Sequence, residues 1–358
     1  MKTGLINTYS TRNLGDAAIY AALAGLAPGG RVFAALQDDH PTLVPGLERT
    51  GRLGKMDIYI SVGGDIFNNG RPGLVSRRFF SLIREARSDP ARSISFGQSI
   101  PPSCRGFALS MLAATLRRFA AVTVRDEESF KLLRSRGVDA NLSYDAAFML
   151  RPSPKAIGAA HRLFQDQELD PNKTALISLR GGSELYGLGD NETDKMIAVL
   201  IRQLQNRGHR TALLLQSDCD HADGDRKQAR RLSERLGDIP VIDPFTAEAP
   251  LPSFQLMMGA LAIANLVAAV RYHAAVLRLA AGRQPYVLHY SNKGQDLCQR
   301  LGLSGQSFAD PLGDAAIADL EATSNSAFNP DPISRDLESR FNDGLHAART
   351  VIRHSVAS

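Results

Sequence analysis

The 358-residue chain contains no tryptophan, and aromatic residues make up only 6% of it. Nucleic-acid modules that hold single strands stack bases on aromatic rings, so this scarcity argues against a nucleic-acid partner. The three cysteines, Cys104, Cys219 and Cys298, are far apart and show no paired spacing. An odd, scattered set predicts free thiols in a reducing compartment, and no structural zinc site.

Long apolar runs are missing as well. No stretch approaches the ~18 apolar residues of a membrane span, and no apolar signal region is evident near the start of the sequence. The expectation is a cytoplasmic protein. The formal net charge of +5 makes the protein mildly basic. It leaves room for an anionic substrate, or for loose attraction to the inner face of an anionic membrane.

Two common phosphate-binding motifs are also absent, because the sequence has neither GxGxxG after a strand nor GxxxxGK[ST]. We therefore expect no nicotinamide site and no P-loop. Residues 218–225 form an acidic loop, but its spacing does not match a calcium loop. Our interpretation is a solvated loop in which Asp225 caps the following helix, with a divalent-ion site as the less favoured alternative.

Short β-rich runs alternate with helical patterns along the chain. The predicted strands are 3–7, 32–36, 57–62, 93–97, 121–125 and 141–145, then 174–180, 211–216, 240–243, 266–270 and 286–290. This alternation predicts an α/β fold with two Rossmann-like, parallel-sheet domains facing a cleft. The predicted domains are residues 1–150 and 151–330, and a helical pattern in 331–358 is expected to pack back on the body.

The sequence Arg271-Tyr272-His273 follows an all-apolar run and opens a helix of small residues. Ligands of open α/β sheets bind at the carboxyl ends of the strands, and a helix amino terminus favours anions. These residues therefore make a candidate anion receptor, with a surface arginine and a helix-capping histidine as the alternative. Arg180, followed by two glycines, ends another predicted strand. Lys293 follows a third strand and is either a further cation of the anion site or a plain surface lysine. Arg180 and Arg271 together would form a two-arginine clamp.

Polar and glycine-rich loops follow the strands of the first half. Asn13 and Asp16 are suited either to capping a helix or to contacting substrate hydroxyls, and Gly15 lets the backbone approach a ligand. Other loops offer further candidates for ligand contact, with tight turns and simple packing as the alternative. They are Gly63 with Gly64, and Gln98 with Ser99.

Taken in order, these loops resemble those of the polysaccharide pyruvyl transferase family. The resemblance covers about residues 1–305 and rests on seven short motifs. They are Asn13-Leu14-Gly15-Asp16, Gly63-Gly64, Gly97-Gln98-Ser99, Val124-Arg125-Asp126 with Glu128-Ser129, the Asp145 loop, Arg271-Tyr272-His273 and Tyr290-Ser291-Asn292-Lys293. The chain departs from the family at Val62, where a third glycine is common.

The resemblance implies the B-type glycosyltransferase fold and a transfer of pyruvyl from phosphoenolpyruvate to two sugar hydroxyls, forming a cyclic ketal. It associates Arg180, Arg271 and His273 with the donor, and the N-terminal domain with the acceptor. The acceptor would be a sugar or a lipid-linked oligosaccharide of exopolysaccharide or cell-envelope synthesis. Phosphoenolpyruvate is a donor substrate in this scheme, so neither cofactor nor metal is expected.

This chemistry fits the candidate residues. A carboxylate and a phosphate need several fixed cations, which Arg180, Arg271 and Lys293 supply. His273 suits proton transfer near neutral pH, and Asp16 is a conceivable base toward the acceptor. Two alternatives are a nucleotide-sugar glycosyltransferase of the same fold and a catalytically silent sugar- or anion-binding protein.

Overall fold

A computed structural model gives the structure of the chain and describes residues 1–29, 31–36, 38–69, 74–181, 189–218, 224–324 and 326–356. The chain divides into two compact units. The N-terminal unit consists of Met1–Thr11, Ala18–Met149 and Asp331–Ser358. The C-terminal unit consists of Arg12–Ala17 and Leu150–Pro330, so the loop that carries Asn13 and Gly15 belongs with the second unit.

Each unit is built on one parallel sheet. The strands of the N-terminal unit are β1 (Lys2–Ile6), β2 (Arg31–Ala34), β3 (Leu47–Arg49), β4 (Ile58–Ser61), β5 (Ser93–Gln98), β6 (Ala121–Val124) and β7 (Ala140–Leu142). The strands of the C-terminal unit are β8 (Thr174–Ser178), β9 (Arg210–Leu214), β10 (Val241–Ile242), β11 (Leu266–Ala269), β12 (Tyr286–His289) and β13 (Gly305–Ser307).

Helices connect the strands. They are α1 (Leu14–Leu26), α2 (Arg77–Ala86), α3 (Gly106–Leu116), α4 (Glu127–Ser135), α5 (Pro154–Asp166), α6 (Asp190–Asn206), α7 (Asp225–Leu236), α8 (Ser253–Ile263), α9 (Tyr272–Ala280), α10 (Asn292–Leu301), α11 (Asp314–Ala322) and α12 (Asp331–Val356). Every strand pairing in the two sheets is parallel across the described residues. The predicted α/β class with two parallel sheets is confirmed.

The strand order places one switch point in each sheet. The N-terminal sheet runs β3-β2-β1-β4-β5-β6-β7, so the chain reverses its direction of travel between β1 and β4. The C-terminal sheet runs β10-β9-β8-β11-β12-β13, and the reversal lies between β8 and β11. Crevices at the carboxyl ends of strands next to such a reversal are where open α/β sheets bind ligands.

The apolar runs of the sequence become the central strands because helices cover both faces of a parallel sheet. All four residues of β4 and of β11 are buried, and so are all five of β8. Helix α12 packs within the N-terminal unit, where the Phe341 ring meets Phe96 edge-on at a centroid distance of 5.3 Å. A β-carbon on Gly344 would lie only 3.2 Å from Ile94, so the helix approaches β5 closely.

Several sequence interpretations match the structure, and others do not. Asp126 caps α4, accepting a hydrogen bond from the N–H of Ser129. The strand predicted at 141–145 ends instead at Leu142, because Asp145 turns to accept from the N–H of Ala147. The short strands β3 and β13 were missed, since both lie at a sheet edge and are polar and partly exposed.

Candidate functional site

Arg271 joins the two strand ends that flank the switch point of the C-terminal sheet. Its backbone N–H and that of Val270 donate to the Ser178 hydroxyl oxygen at 3.1 and 2.8 Å. Its Nε donates to the carbonyl oxygen of Leu179 at 2.7 Å. Leu179 directly precedes Arg180, so both predicted arginines lie at this carboxyl edge, and Arg271 stands immediately before helix α9.

Asp225 is the carboxylate partner of Arg271. Its Oδ1 accepts from Nε of Arg271 at 3.2 Å and from Nη2, while its Oδ2 accepts from the N–H groups of Gln216 and Ser217 at 2.7 and 2.8 Å. Burial is the largest influence on the pKa of Asp225 and raises it, whereas Arg271 and the two N–H groups oppose that rise. Asp225 is 0% exposed and Arg271 3%.

The ion pair of Arg271 with Asp225 bears on the predicted roles of both residues. The N-cap of α7 is Gly224, and the carboxylate of Asp225 reaches back to the end of β9, so the prediction that Asp225 caps this helix is wrong. Because Asp225 balances its charge, Arg271 acquires a positioning role at this edge. The predicted contact of Arg271 with an anion stays a prediction.

His273 lies in the first turn of α9 and packs directly on the backbone of Gly15. A β-carbon on Gly15 would lie 2.1 Å from Nδ1 of His273 and 2.4 Å from its Cγ, far inside van der Waals contact. Only glycine leaves room for this approach. Gly15 was predicted to let a ligand come close to the backbone, and the group that lies against it is the imidazole of His273. Asp16 follows in the first turn of α1 and is half-buried.

The segment around Gly15 is joined to the end of β9. Asn13 forms an isolated antiparallel bridge with Ser217, and the N–H of Asp218 donates to the carbonyl oxygen of Arg12 at 3.0 Å. The Oδ1 of Asn13 accepts from the N–H of Gly15 at 3.1 Å, in the manner of a helix cap. These bonds fix the backbone against which His273 rests.

Arg180 and Lys293 bring two cations to aromatic rings at this edge. The guanidinium carbon of Arg180 lies 4.6 Å from the ring centroid of Tyr290, and Nζ of Lys293 lies 5.7 Å from that of Tyr272. The Tyr272 ring in turn meets the imidazole of His273 edge-on, with 5.5 Å between centroids. Cation–π contacts of this kind help to orient a charged side chain.

The predicted N-terminal candidates pack within the protein. A β-carbon on Gly63 would lie 2.5 Å from the carbonyl oxygen of Gly97, and Gly64 has a φ of +113°, which only glycine adopts readily. The amide Nε2 of Gln98 donates to the Gly64 carbonyl oxygen at 2.6 Å. Gln98 is 0% exposed, and the close approach of Gly63 to the Gly97 backbone leaves no room for a side chain at residue 63.

Ser99 belongs to a buried network around Arg125. Its hydroxyl donates to Asp126 at 2.6 Å and accepts from Nε of Arg125 at 2.7 Å. Arg125 also donates to Asp145 and, at 3.2 Å, to Asp65. The motifs contain these residues, but sequence reasoning missed their pairing. The network favours a supporting role for Gln98 and Ser99 over direct contact with a sugar.

The remaining predictions about metals, membranes and thiols concern the whole chain. Across the described ranges, no three His, Cys, Asp or Glu side chains group as a metal site would need. None of the described helices combines the length and apolar character needed to cross a membrane. Burial raises the pKa of Cys104 to about 12 and that of Cys298 to about 11. Gly182, Cys219 and residues 220–223 of the acidic loop lie outside the described residues.

Comparison with solved structures identifies the fold class. UDP-GlcNAc 2-epimerase from Methanocaldococcus jannaschii is similar over 100% of both chains, with a TM-score of 0.53 and 11% identity. A putative UDP-N-acetylglucosamine 2-epimerase from Listeria monocytogenes has a TM-score of 0.53 and 13% identity, over 93% of this chain and 94% of that one. Sucrose-phosphate synthase from Thermosynechococcus elongatus has a TM-score of 0.50 and 14% identity, over 100% of both chains. At such identities the likeness shows the fold alone, which is that of B-type glycosyltransferases.

The family follows from the sequence itself. Residues 13–292 match the polysaccharide pyruvyl transferase family, and the chain belongs to it. The match includes every candidate residue of both units except Lys293, which follows its last position. A comparison with curated proteins gave no match.

Proposed function

We propose that this protein transfers the pyruvyl group of phosphoenolpyruvate to two hydroxyls of a sugar, forming a cyclic ketal on a polysaccharide or glycolipid precursor. Membership of the family supports a transferase that acts in polysaccharide pyruvylation. The observation that carries the choice of donor is the grouping of Arg180, His273 and Lys293 at strand ends beside the switch point of the C-terminal sheet.

The donor is a small anion with a carboxylate at one end and a phosphate at the other. The amino terminus of α9 offers backbone N–H groups and a partial positive charge to one of these groups. Arg180 offers a planar fork of donors, and Lys293 offers a compact charge. Both lie beside aromatic rings, Arg180 at Tyr290 and Lys293 at Tyr272.

The transfer needs one proton delivered and two removed. A proton added to C3 of phosphoenolpyruvate makes C2 electrophilic. One sugar hydroxyl then bonds to C2 and loses its proton, phosphate departs with the electrons of its C–O bond, and the second hydroxyl closes the ketal. We assign a proton transfer to His273, which Gly15 and Tyr272 hold in place, and propose Asp16 as a base toward the acceptor.

The rival function is nucleotide-sugar transfer, because the same helix-end site would accept a diphosphate. The proposal predicts that phosphoenolpyruvate raises the melting temperature of the protein, whereas uridine diphosphate sugars do not. The opposite ranking would favour the rival. Mass spectrometry of candidate glycans incubated with phosphoenolpyruvate would then identify the acceptor by the added ketal.

The role of His273 has a separate test. His273→Ala is expected to abolish phosphate release from phosphoenolpyruvate in the presence of acceptor, with the circular-dichroism spectrum unchanged. Retained turnover would remove His273 from the mechanism. Turnover lost together with the folded spectrum would show that the imidazole is needed for packing against Gly15, and His273→Asn, which keeps a polar group of similar size, separates the two effects.

We also propose that the protein works at the inner face of a membrane on a lipid-linked acceptor. Residues 74–118 contain eight arginines and two acidic residues. The large side chains of Phe80 in α2 and Phe107 in α3 are 55% and 71% exposed. Exposed Arg77 and Arg84 flank Phe80 on the outer side of its helix. Apolar side chains among basic ones suit an anionic lipid surface.

Vesicle binding tests this surface. The double variant Phe80→Glu with Phe107→Glu is expected to lower binding to phosphatidylglycerol vesicles at least tenfold, because each buried Phe contributes roughly 1.5–3 kcal/mol. The control is Val199→Glu, which alters a 42% exposed apolar residue of α6 in the C-terminal unit. An equal loss of vesicle binding in the double variant and in Val199→Glu would show that binding depends on the net charge of the protein, and would contradict the proposal.

A further inference from the structure

The N-terminal unit contains a cavity of about 960 Å³ that none of the predicted site residues lines. Its walls come from the segments that follow β1, β2 and β3, together with one side of α2. β1 borders the switch point of this sheet, where ligands of open parallel sheets bind. The volume falls in the range of small-molecule sites, about 300–1,000 Å³.

Asn7 forms the floor of this cavity at the end of β1, in a conformation that is rare outside glycine. Its φ is +57° and its side chain is fully buried. Its Oδ1 accepts from the Ser61 hydroxyl at 2.8 Å, and its Nδ2 donates to the Leu82 carbonyl oxygen at 2.9 Å. Left-handed residues held by several bonds are concentrated at functional sites. Asn7 thus ties the end of β1 to α2.

Glu85 is the acidic group that this arrangement positions. Its Oε2 accepts from the backbone N–H of Asn7 at 3.0 Å and from Nδ2 of Asn7 at 3.2 Å. Both bonds end on the same oxygen, so Oε1 remains for a ligand within the described part of the chain. Burial is the largest influence on the pKa of Glu85 and raises it. A carboxylate held in this way is a strong acceptor for hydroxyl groups.

Tyr9 supplies an aromatic wall to the same cavity. The guanidinium of Arg78 lies 4.4 Å from its ring centroid, and the backbone N–H of Tyr9 donates to the Tyr20 hydroxyl at 2.8 Å. The hydroxyls of Thr8 and Ser81 are further lining groups. An aromatic wall beside a carboxylate and hydroxyls matches a pyranose ring, which has an apolar C–H face and hydroxyls at its edge.

We propose that this cavity binds the acceptor as a hexopyranose, with two of its hydroxyls hydrogen-bonded to Glu85 and its ring against Tyr9. The claim that the bound sugar is the acceptor rests on the proposed function, whereas the claim that a sugar binds here rests on the cavity alone. The main alternative is an anion site, since Arg52 and Arg84 also line the cavity and are exposed. A carboxylate in the wall disfavours that alternative, because it repels an anion.

Direct binding without any donor tests the proposal. The probes are the methyl glycosides of galactose, glucose and mannose, followed by saturation-transfer NMR, with inorganic phosphate as the anion probe. At least one glycoside is expected to bind the wild-type protein. Glu85→Gln is expected to weaken it about tenfold, since a charge-assisted hydrogen bond is roughly twice as strong as a neutral one. Tyr9→Ala is expected to weaken it similarly.

Glu338→Gln in α12 is the matched control, because it removes an exposed carboxylate from the same unit and should leave binding unchanged. Glu85→Gln keeps the shape of the side chain and an acceptor for Asn7, so its fold should persist. Binding that is unchanged by Glu85→Gln and Tyr9→Ala, or absent for all three glycosides at tens of millimolar, would overturn the inference. So would phosphate binding that tightens in Glu85→Gln.

The two proposals fail separately. If phosphoenolpyruvate fails to stabilise the protein while a glycoside still binds beside Glu85, the cavity is a sugar site and the donor proposal is wrong. If ketal formation proceeds in Glu85→Gln and Tyr9→Ala with the wild-type KM for the acceptor, the function stands and the cavity is not its acceptor site.

Discussion

Gly15→Ala is the sharpest perturbation that the structure offers. The added β-carbon would lie 2.1 Å from Nδ1 of His273, whereas ordinary contact begins at 3.4 Å, so the imidazole or the backbone must move by the difference, about 1.3 Å. A displacement of ~1 Å at a reacting group costs on the order of 10²-fold in rate. Overpacking of this kind also costs ~1–3 kcal/mol of unfolding free energy. Both effects are measurable on the same protein, as phosphate release and as urea unfolding.

Gly25→Ala is the control on the same helix, because its added β-carbon meets nothing within 4 Å. That variant should gain up to ~1 kcal/mol from helix propensity and retain full turnover. A double-mutant cycle with His273→Ala isolates the contact. Removing the imidazole should abolish the stability cost of Gly15→Ala, giving a coupling energy of about 1–3 kcal/mol. Additive free energies, or wild-type turnover in Gly15→Ala, would refute this reading of the glycine.

Three other predictions concern charge. Asp225→Asn should lower the unfolding free energy by ~3–5 kcal/mol, since it removes a buried carboxylate that pairs with Arg271. Asp314→Asn, at a carboxylate whose side chain is 96% exposed, should change the unfolding free energy by less than ~1 kcal/mol in the same urea titration. The raised pKa of Glu85 means that the folded state binds its proton more readily than the unfolded state, so the associated stability is present below pH 4.5 and is lost as the pH rises through the folded pKa. Glu85→Gln should therefore gain in stability relative to wild type as the pH is raised from 4.5 to 7, and a constant difference would contradict the assigned shift. Finally, dialysis against EDTA should leave turnover unchanged, because the proposed transfer uses fixed protein cations and phosphoenolpyruvate alone, and recovery only on adding a divalent ion would contradict this.

The fold was predictable wherever a strand is buried on both faces of its sheet, because such a strand appears in the sequence as an apolar run. The apolar run at 266–270 became β11, and the run at 174–180 became β8, with Leu179 and Arg180 lying beyond the end of the strand. The limits of the prediction were physical. An edge strand such as β3 is paired on one side only, so it needs no apolar run and left no periodic trace.

The positions of the candidate site residues along the chain were predictable from sequence, but the side chains with which they pair were not. The rule that ligands gather at carboxyl strand ends identified Arg271 from sequence, but its partner Asp225 lies 46 residues away in a loop that looked solvated. In the same way Glu85 is 78 residues from Asn7, and neither belongs to a recognisable motif. Side-chain pairing across such separations depends on the three-dimensional arrangement of loops, which local patterning does not encode.

The two arginines of the predicted clamp differ in their partners in the folded chain, and the partners matter for anion binding. Sequence spacing gave Arg180 and Arg271 equal standing as receptors for a dianion. In the folded chain Arg271 shares its charge with a fully buried carboxylate and bonds the ends of β8 and β11, while Arg180 rests on an aromatic ring. A charge that is already balanced adds little net attraction for an incoming anion. Arg271 therefore joins the ends of β8 and β11 just before the amino terminus of α9, and its predicted contact with an anion stays a prediction.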